Sequence, residues 1–145
     1  MVTEVRSATI CVVGAGYVGL PLSKVFAMNH EVISFDIDAD RVKALSEQNV
    51  NPNHIFTTDP SLIAEADFIS ICVPTPLSKG KRPDMSYIKE AAAIVGRHMK
   101  KGAVVIVESS VYPGATEELF KPILEQVSGY ECGKDFRLAY SPERI

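Results

Sequence analysis

The chain has 145 residues, enough for one domain with a substantial core. Its 46% hydrophobic and 23% charged residues are those of a globular protein and exclude a disordered or fibrous chain. A net charge of −3 gives no global bias toward nucleic acid or an anionic membrane, and no run approaches the roughly 18 apolar residues of a membrane span.

Taken in chain order, strand and helix patterns alternate. Glu4 and Arg6 precede an apolar run that breaks into glycines, which predicts a first strand over Ala8–Val13 rather than a signal peptide. A glycine turn, Gly14-Ala15-Gly16-Tyr17-Val18-Gly19, opens a helix over Tyr17–Met28, with Pro21 in the first turn, where no amide donor is needed. A strand over Glu31–Phe35 and a helix over Ala39–Glu47 follow, with Asp38 and Asp40 as solvated caps. Asn49–Asn53 reads as a loop, His54–Thr57 as a short strand, and Asp59-Pro60-Ser61 as the start of a brief helix. Phe68–Val73 is a strongly apolar strand that Pro74-Thr75-Pro76 ends. The basic cluster Lys79, Lys81 and Arg82 reads as an exposed loop. A helix with an alanine-rich face is expected over Ser86–Met99, a strand over Ala103–Val107, a helix over Thr116–Val127 distorted at Pro122, and a last strand over Phe136–Tyr140. Near-continuous apolar strands joined by crossovers predict an α/β protein: a Rossmann doubly wound parallel sheet of about six strands in the order 3-2-1-4-5-6, with helices on both faces.

A G-x-G-x-x-G between a strand and a helix points to dinucleotide binding. Gly14 permits the tight turn, Gly16 lets the backbone come close to a pyrophosphate, and Gly19 lets the helix pack on the strand. Asp36 closes the second strand about 20 positions on, where a carboxylate accepts from the adenosine ribose hydroxyls and repels a 2′-phosphate. NAD is therefore expected over NADP, with Arg41 flanking the adenine ribose. Ligands of such sheets lie beyond the carboxyl ends of the strands, which singles out residues 14–19, Asp36, 74–77, 108–114 and 141–145. Cys11, Cys72 and Cys132 form neither C-x-x-C nor a metal spacing, and Cys11 and Cys72 read as buried hydrophobes in a reducing, cytoplasmic compartment. His30, His54 and His98 have no mutual spacing and read as exposed polar residues, so no metal is assigned.

Four ordered motifs run along the whole chain: Gly-Tyr-Val-Gly-Leu-Pro at 16–21, Cys-Val-Pro-Thr-Pro at 72–76, Glu-Ser-Ser-Val-Tyr-Pro-Gly at 108–114 and Tyr-Ser-Pro-Glu-Arg-Ile at 140–145. In these the sequence resembles the UDP-glucose/GDP-mannose dehydrogenase family. Lys81-Arg82-Pro83-Asp84 and Val111–Glu118 look most like its branch acting on UDP-N-acetylhexosamines, enzymes that supply uronates for bacterial surface polysaccharides. The resemblance implies oxidation of C6 of a UDP-sugar to the carboxylate with two NAD⁺, through a cysteine-bound thiohemiacetal. It implies that Tyr17, Val18, Asp36, Arg41 and Thr75 contact NAD. Ser110, standing where the family usually has threonine, would hold catalytic water or cofactor, and Glu143 would act on water or a proton in the hydrolytic half-reaction.

None of the three cysteines matches the family's nucleophile, which with its assisting lysine and asparagine lies in later segments. Residues 1–145 are thus expected to be the NAD-binding domain, without the central helix and the substrate domain. Such a chain would bind NAD but not turn over, and would be monomeric where the full-length enzyme is a homodimer. A standalone NAD-binding regulatory module is the alternative. The segment Asn49–Asn53 is shorter than the family's usual helical insertion.

Overall fold

A computed structural model of the protein describes residues 7–142. Strands β1 (Thr9–Val13), β2 (Glu31–Phe35), β3 (His54–Thr57), β4 (Phe68–Ile71), β5 (Val104–Val107) and β6 (Arg137–Tyr140) form one sheet, parallel throughout, in the order β3-β2-β1-β4-β5-β6. The expected order is thus the observed one. Alternation along each strand divides the apolar residues between two cores. Cys11 and Val13 of β1, Ile33 and Phe35 of β2, Ile69 and Ile71 of β4, and Val105 and Val107 of β5 face one side. Ile10, Val12 and Val32 face the other, with Cys72 just past β4.

Helix α1 (Gly19–Phe26) covers the second face through Leu22 and Phe26. The first face carries a 3₁₀ turn (Pro60–Glu65) and helices α3 (Ser86–His98) and α4 (Lys121–Ser128). The alanine-rich face of α3 is buried through Ile88, Ala91, Ala92, Val95 and Gly96. A Cβ at Gly96 would lie 3.2 Å from that of Val127, so glycine sets how closely α3 and α4 approach. Helix α2 (Ala39–Gln48) starts at Asp38, whose carboxylate accepts from Arg41 N–H at 3.1 Å, the expected cap, and Asp38 and Asp40 are both exposed.

Three expectations need correction. The first helix starts at Gly19 rather than Tyr17, because residues 17–18 form the turn that swings the chain off β1. The distortion near Pro122 lies before that residue. A π turn spans Thr116–Phe120, and Lys121 N–H reaches back five residues to Thr116 O, since Pro122 has no N–H to continue an α-helical ladder into α4. The histidines are not exposed. His54 is buried at 3% exposure, with Nε2 2.8 Å from Ser34 Oγ and its ring 4.2 Å from that of Phe56. His30 and His98 are half-buried. Burial, reinforced by the Lys24 charge, holds the His54 pKa below its ordinary value. The loop bearing Lys79, Lys81 and Arg82 is exposed as expected, pinned by Ser78 N–H on Arg82 O at 2.7 Å.

Candidate functional site

A cleft of about 720 Å³ runs along the carboxyl ends of β2, β1, β4 and β5. The chain supplies Phe35–Asp38, Val13 to Val18, Cys72–Thr75 and Glu108–Ser110 to it, while Tyr87, Glu90, Ala91 and Ile94 of α3 add one wall and Arg41 of α2 one end. The order reverses between β1 and β4, which makes this the topological switch point where doubly wound sheets take ligands.

The three glycines of the turn differ in what they permit. Gly14 has φ of 102°, and a Cβ there would lie 2.8 Å from Cys72 O; its N–H donates to Phe35 O at 2.8 Å. A Cβ at Gly19 would collide with the Gly14 carbonyl and lie 3.2 Å from the Cys72 Cβ, so this glycine seats α1 on the strand end. A Cβ at Gly16 meets nothing within 4 Å. Gly16 lines the cleft, and its missing side chain leaves room for a ligand rather than for the protein. Helix α1 begins with no side-chain cap: Leu20 N–H donates to Gly16 O at 3.0 Å, Pro21 has no N–H, and the positive end of the dipole faces the glycine turn, where it favours an anion.

Asp36, 7% exposed, organises the other side of the turn. Its Oδ2 accepts from Ala15 N–H at 2.8 Å and from Arg41 Nη1 at 3.2 Å, and its Oδ1 from Asp38 N–H at 2.9 Å. A carboxylate offers about four acceptor positions, so one remains, on Oδ1. Among the described residues lining the cleft, Asp36, Asp38, Glu90 and Glu108 are acidic and Arg41 alone is basic. An anionic ligand there depends on backbone N–H groups and the helix dipole rather than on lysine or arginine.

Gly14, Gly16, Tyr17, Val18, Asp36, Arg41, Thr75 and Ser110 all line this cleft, and Gly19 shapes it from behind. Tyr17 stands 80% exposed at the tip of the turn, Thr75 is half-buried, and Ser110 is exposed. Glu143 lies outside the described residues. Ser109, which lies in the 108–114 motif but had no role assigned from the sequence, is the buried member of its pair. Its Oγ donates to Val73 O at 2.8 Å and Ile71 O at 3.3 Å, tying the end of β5 to the Val73–Thr75 segment. Its signal was the alternation Val105, Val107, Ser109 on one face of the sheet. Glu108 also went without a role, and Ser70 Oγ donates to its Oε1 at 3.4 Å.

The thiols do not form a nucleophilic centre here. Burial pushes Cys11 up to about 12, and Cys132 is raised chiefly by desolvation. Cys72 is buried beneath the glycine turn. No group of three or more His, Cys, Asp or Glu able to hold a metal occurs among the described residues, and no helix among them is long and apolar enough to cross a membrane.

A six-stranded parallel sheet with a glycine turn, an uncapped helix N-terminus and a buried acid closing the second strand defines a dinucleotide-binding Rossmann domain. Residues 8–145 match the model of the UDP-glucose/GDP-mannose dehydrogenase family, NAD binding domain, and the chain belongs to that family. Among similar proteins, "Protein CapL" of Staphylococcus aureus is 44% identical over 94% of this chain and 35% of its own length. The UDP-N-acetyl-D-glucosamine 6-dehydrogenase of Salmonella typhi is 38% identical, again over 94% of this chain and 35% of its own length. The solved UDP-D-ManNAc dehydrogenase of Pyrococcus horikoshii superposes with a TM-score of 0.87 at 33% identity, over 94% of this chain and 36% of that one. A ternary complex of GDP-mannose dehydrogenase from Pseudomonas aeruginosa gives 0.86 at 27% identity, with the same coverage. The chain thus spans about 35% of the length of the curated relatives it matches. NAD is the cofactor of the matched domain. The residues present fit it: the turn leaves space at Gly16, α1 has no side-chain cap, and Asp36 lines the cleft at the end of β2 with an acceptor position open on Oδ1.

Proposed function

We propose that residues 1–145 form the NAD-binding domain of a nucleotide-sugar 6-dehydrogenase acting on a UDP-N-acetylhexosamine or UDP-glucose. The observation that carries this reading is the switch-point cleft, in which Gly16 leaves open space beside an uncapped helix N-terminus and Asp36 closes the far end. The names of relatives such as the UDP-N-acetyl-D-glucosamine 6-dehydrogenase support the N-acetylhexosamine branch. When bound, NAD⁺ supplies a hydride acceptor. The turn and the start of α1 hold the pyrophosphate, Asp36 binds the adenosine ribose and disfavours a 2′-phosphate, and Arg41 steadies Asp36. Tyr17, Val18 and Thr75 line the cofactor's path. Ser110 holds water or cofactor, and Glu143 serves as base toward water.

The relatives' further length would supply the central helix, the substrate site and the catalytic cysteine. The full-length protein would then be a cytoplasmic homodimer, and residues 1–145 alone a monomer that binds NAD without turnover. No nucleic-acid or membrane partner belongs to this reading. The test is to assay the full-length protein with UDP-N-acetylglucosamine, UDP-N-acetylmannosamine and UDP-glucose. Two NADH per sugar consumed, with loss of turnover but not of NAD binding in Glu143→Gln, supports it. Binding without oxidation of any nucleotide sugar would overturn it.

A further inference from the structure

Tyr87, Glu90, Ala91 and Ile94 line the cleft from one face of α3. At about 100° per residue they lie about 120–180° around the helix from Gly96, which meets Val127 of α4. They therefore point away from α4, to the side where α3 packs on the 3₁₀ turn and that turn on β2. This is the Asp36 half of the cleft. Its lining there is apolar, from Ala91, Ile94 and Ile37, which is 58% exposed directly after the acid. Of the four acidic residues lining the cleft, Asp36, Asp38 and Glu108 each accept a hydrogen bond from the protein. Glu90 is exposed and has no hydrogen-bond or ion-pair partner among the described residues.

Resting on the cofactor reading above, we infer that Glu90 reads the base of the cofactor by accepting a hydrogen bond from the 6-amino group of adenine. With the ribose at Asp36 and the pyrophosphate at the glycine turn, the base lies beyond the ribose, against Ile37 and this face of α3. An ionised carboxylate only accepts hydrogen bonds. It pairs with the adenine amine and opposes the 6-oxo group that hypoxanthine and guanine carry at the same place. A hydrogen bond to a charged acceptor supports a preference for adenine of about tenfold to a hundredfold. The apolar residues hold any purine by its faces, so they add affinity without making this choice.

The test titrates NAD⁺ and its 6-oxo analogue, nicotinamide hypoxanthine dinucleotide, into the 145-residue chain and its Glu90→Gln and Glu90→Ala variants. Glu90 is exposed, so both variants should fold as the parent does. The expected result is that the parent binds NAD⁺ at least about tenfold more tightly than the analogue. Glu90→Gln should remove that preference, because its amide can donate to a 6-oxo group as well as accept from a 6-amino group. Glu90→Ala should remove it chiefly by weakening NAD⁺. A parent that binds both dinucleotides equally would overturn the inference, and so would a Glu90→Gln chain that keeps the full preference. If the parent binds neither dinucleotide, the cofactor reading itself fails and takes this inference with it.

Discussion

Replacing Gly16 by alanine separates a ligand cradle from a merely structural turn. The added methyl meets no protein atom within 4 Å, and the residue does not occupy the left-handed region that favours glycine. Alanine at such a position stabilises a fold by about 0.4–1 kcal/mol through loss of unfolded-state entropy. For a domain of this size that raises Tm by about 1–4 °C. The same methyl projects where backbone N–H groups must approach a pyrophosphate. Loss of one charge-assisted hydrogen bond there costs about 1.5–3 kcal/mol, or roughly ten- to a hundredfold in NAD affinity. Gly14→Ala is the contrast, because φ of 102° and the Cys72 carbonyl 2.8 Å from the new Cβ both oppose it. It should destabilise by about 2 kcal/mol or more. Chemical denaturation and calorimetric NAD titration of both variants check the pair. A Gly16→Ala chain that binds NAD as tightly as its parent, or that loses stability as Gly14→Ala does, would refute the reasoning.

Asp36→Ala leaves the Ala15 and Asp38 N–H groups without their acceptor. It should cost about 1–3 kcal/mol of stability, seen in urea unfolding, while the ratio of NADP⁺ to NAD⁺ affinity rises. His54 is held neutral by burial and by Lys24, with its folded pKa below the ordinary 6.5. The unfolded chain therefore binds the proton more readily, so the His54 contribution is present above 6.5 and is lost as pH falls below it. Unfolding free energies measured from about pH 7.5 to about pH 5.5 should fall with acidification, and less steeply in His54→Gln. Ser109→Ala removes the donor to Val73 O and should lower stability by about 1 kcal/mol. The neighbouring Ser110→Ala should stay within about 0.5 kcal/mol of the parent and act instead on turnover of the full-length enzyme.

The strand order was legible because six short apolar runs separated by crossovers leave few ways to cover both faces of a sheet, and Gly14, Gly16, Gly19 and Asp36 stand in a local pattern with a fixed physical meaning. What escaped depends on partners distant in sequence. His54 is buried because Ser34, twenty positions earlier, meets its ring nitrogen across β2 and β3. Glu108 is anchored by Ser70, thirty-eight positions away on β4. Ser109 and Ser110 look alike until the phase of β5 decides which one turns inward. Pro122 announced a distorted helix, but its missing N–H acts on the preceding turn, so the π turn ends before it.

The central claim is that this cleft is built for NAD rather than NADP, and calorimetric titration of the 145-residue chain with each dinucleotide tests it most directly. Saturable binding of one NAD⁺ per chain, with NADP⁺ at least about tenfold weaker through repulsion of its 2′-phosphate by Asp36, is the predicted result. Equal affinity for the two dinucleotides would contradict the role of Asp36. No heat from NAD⁺ even at millimolar concentration would contradict the account as a whole.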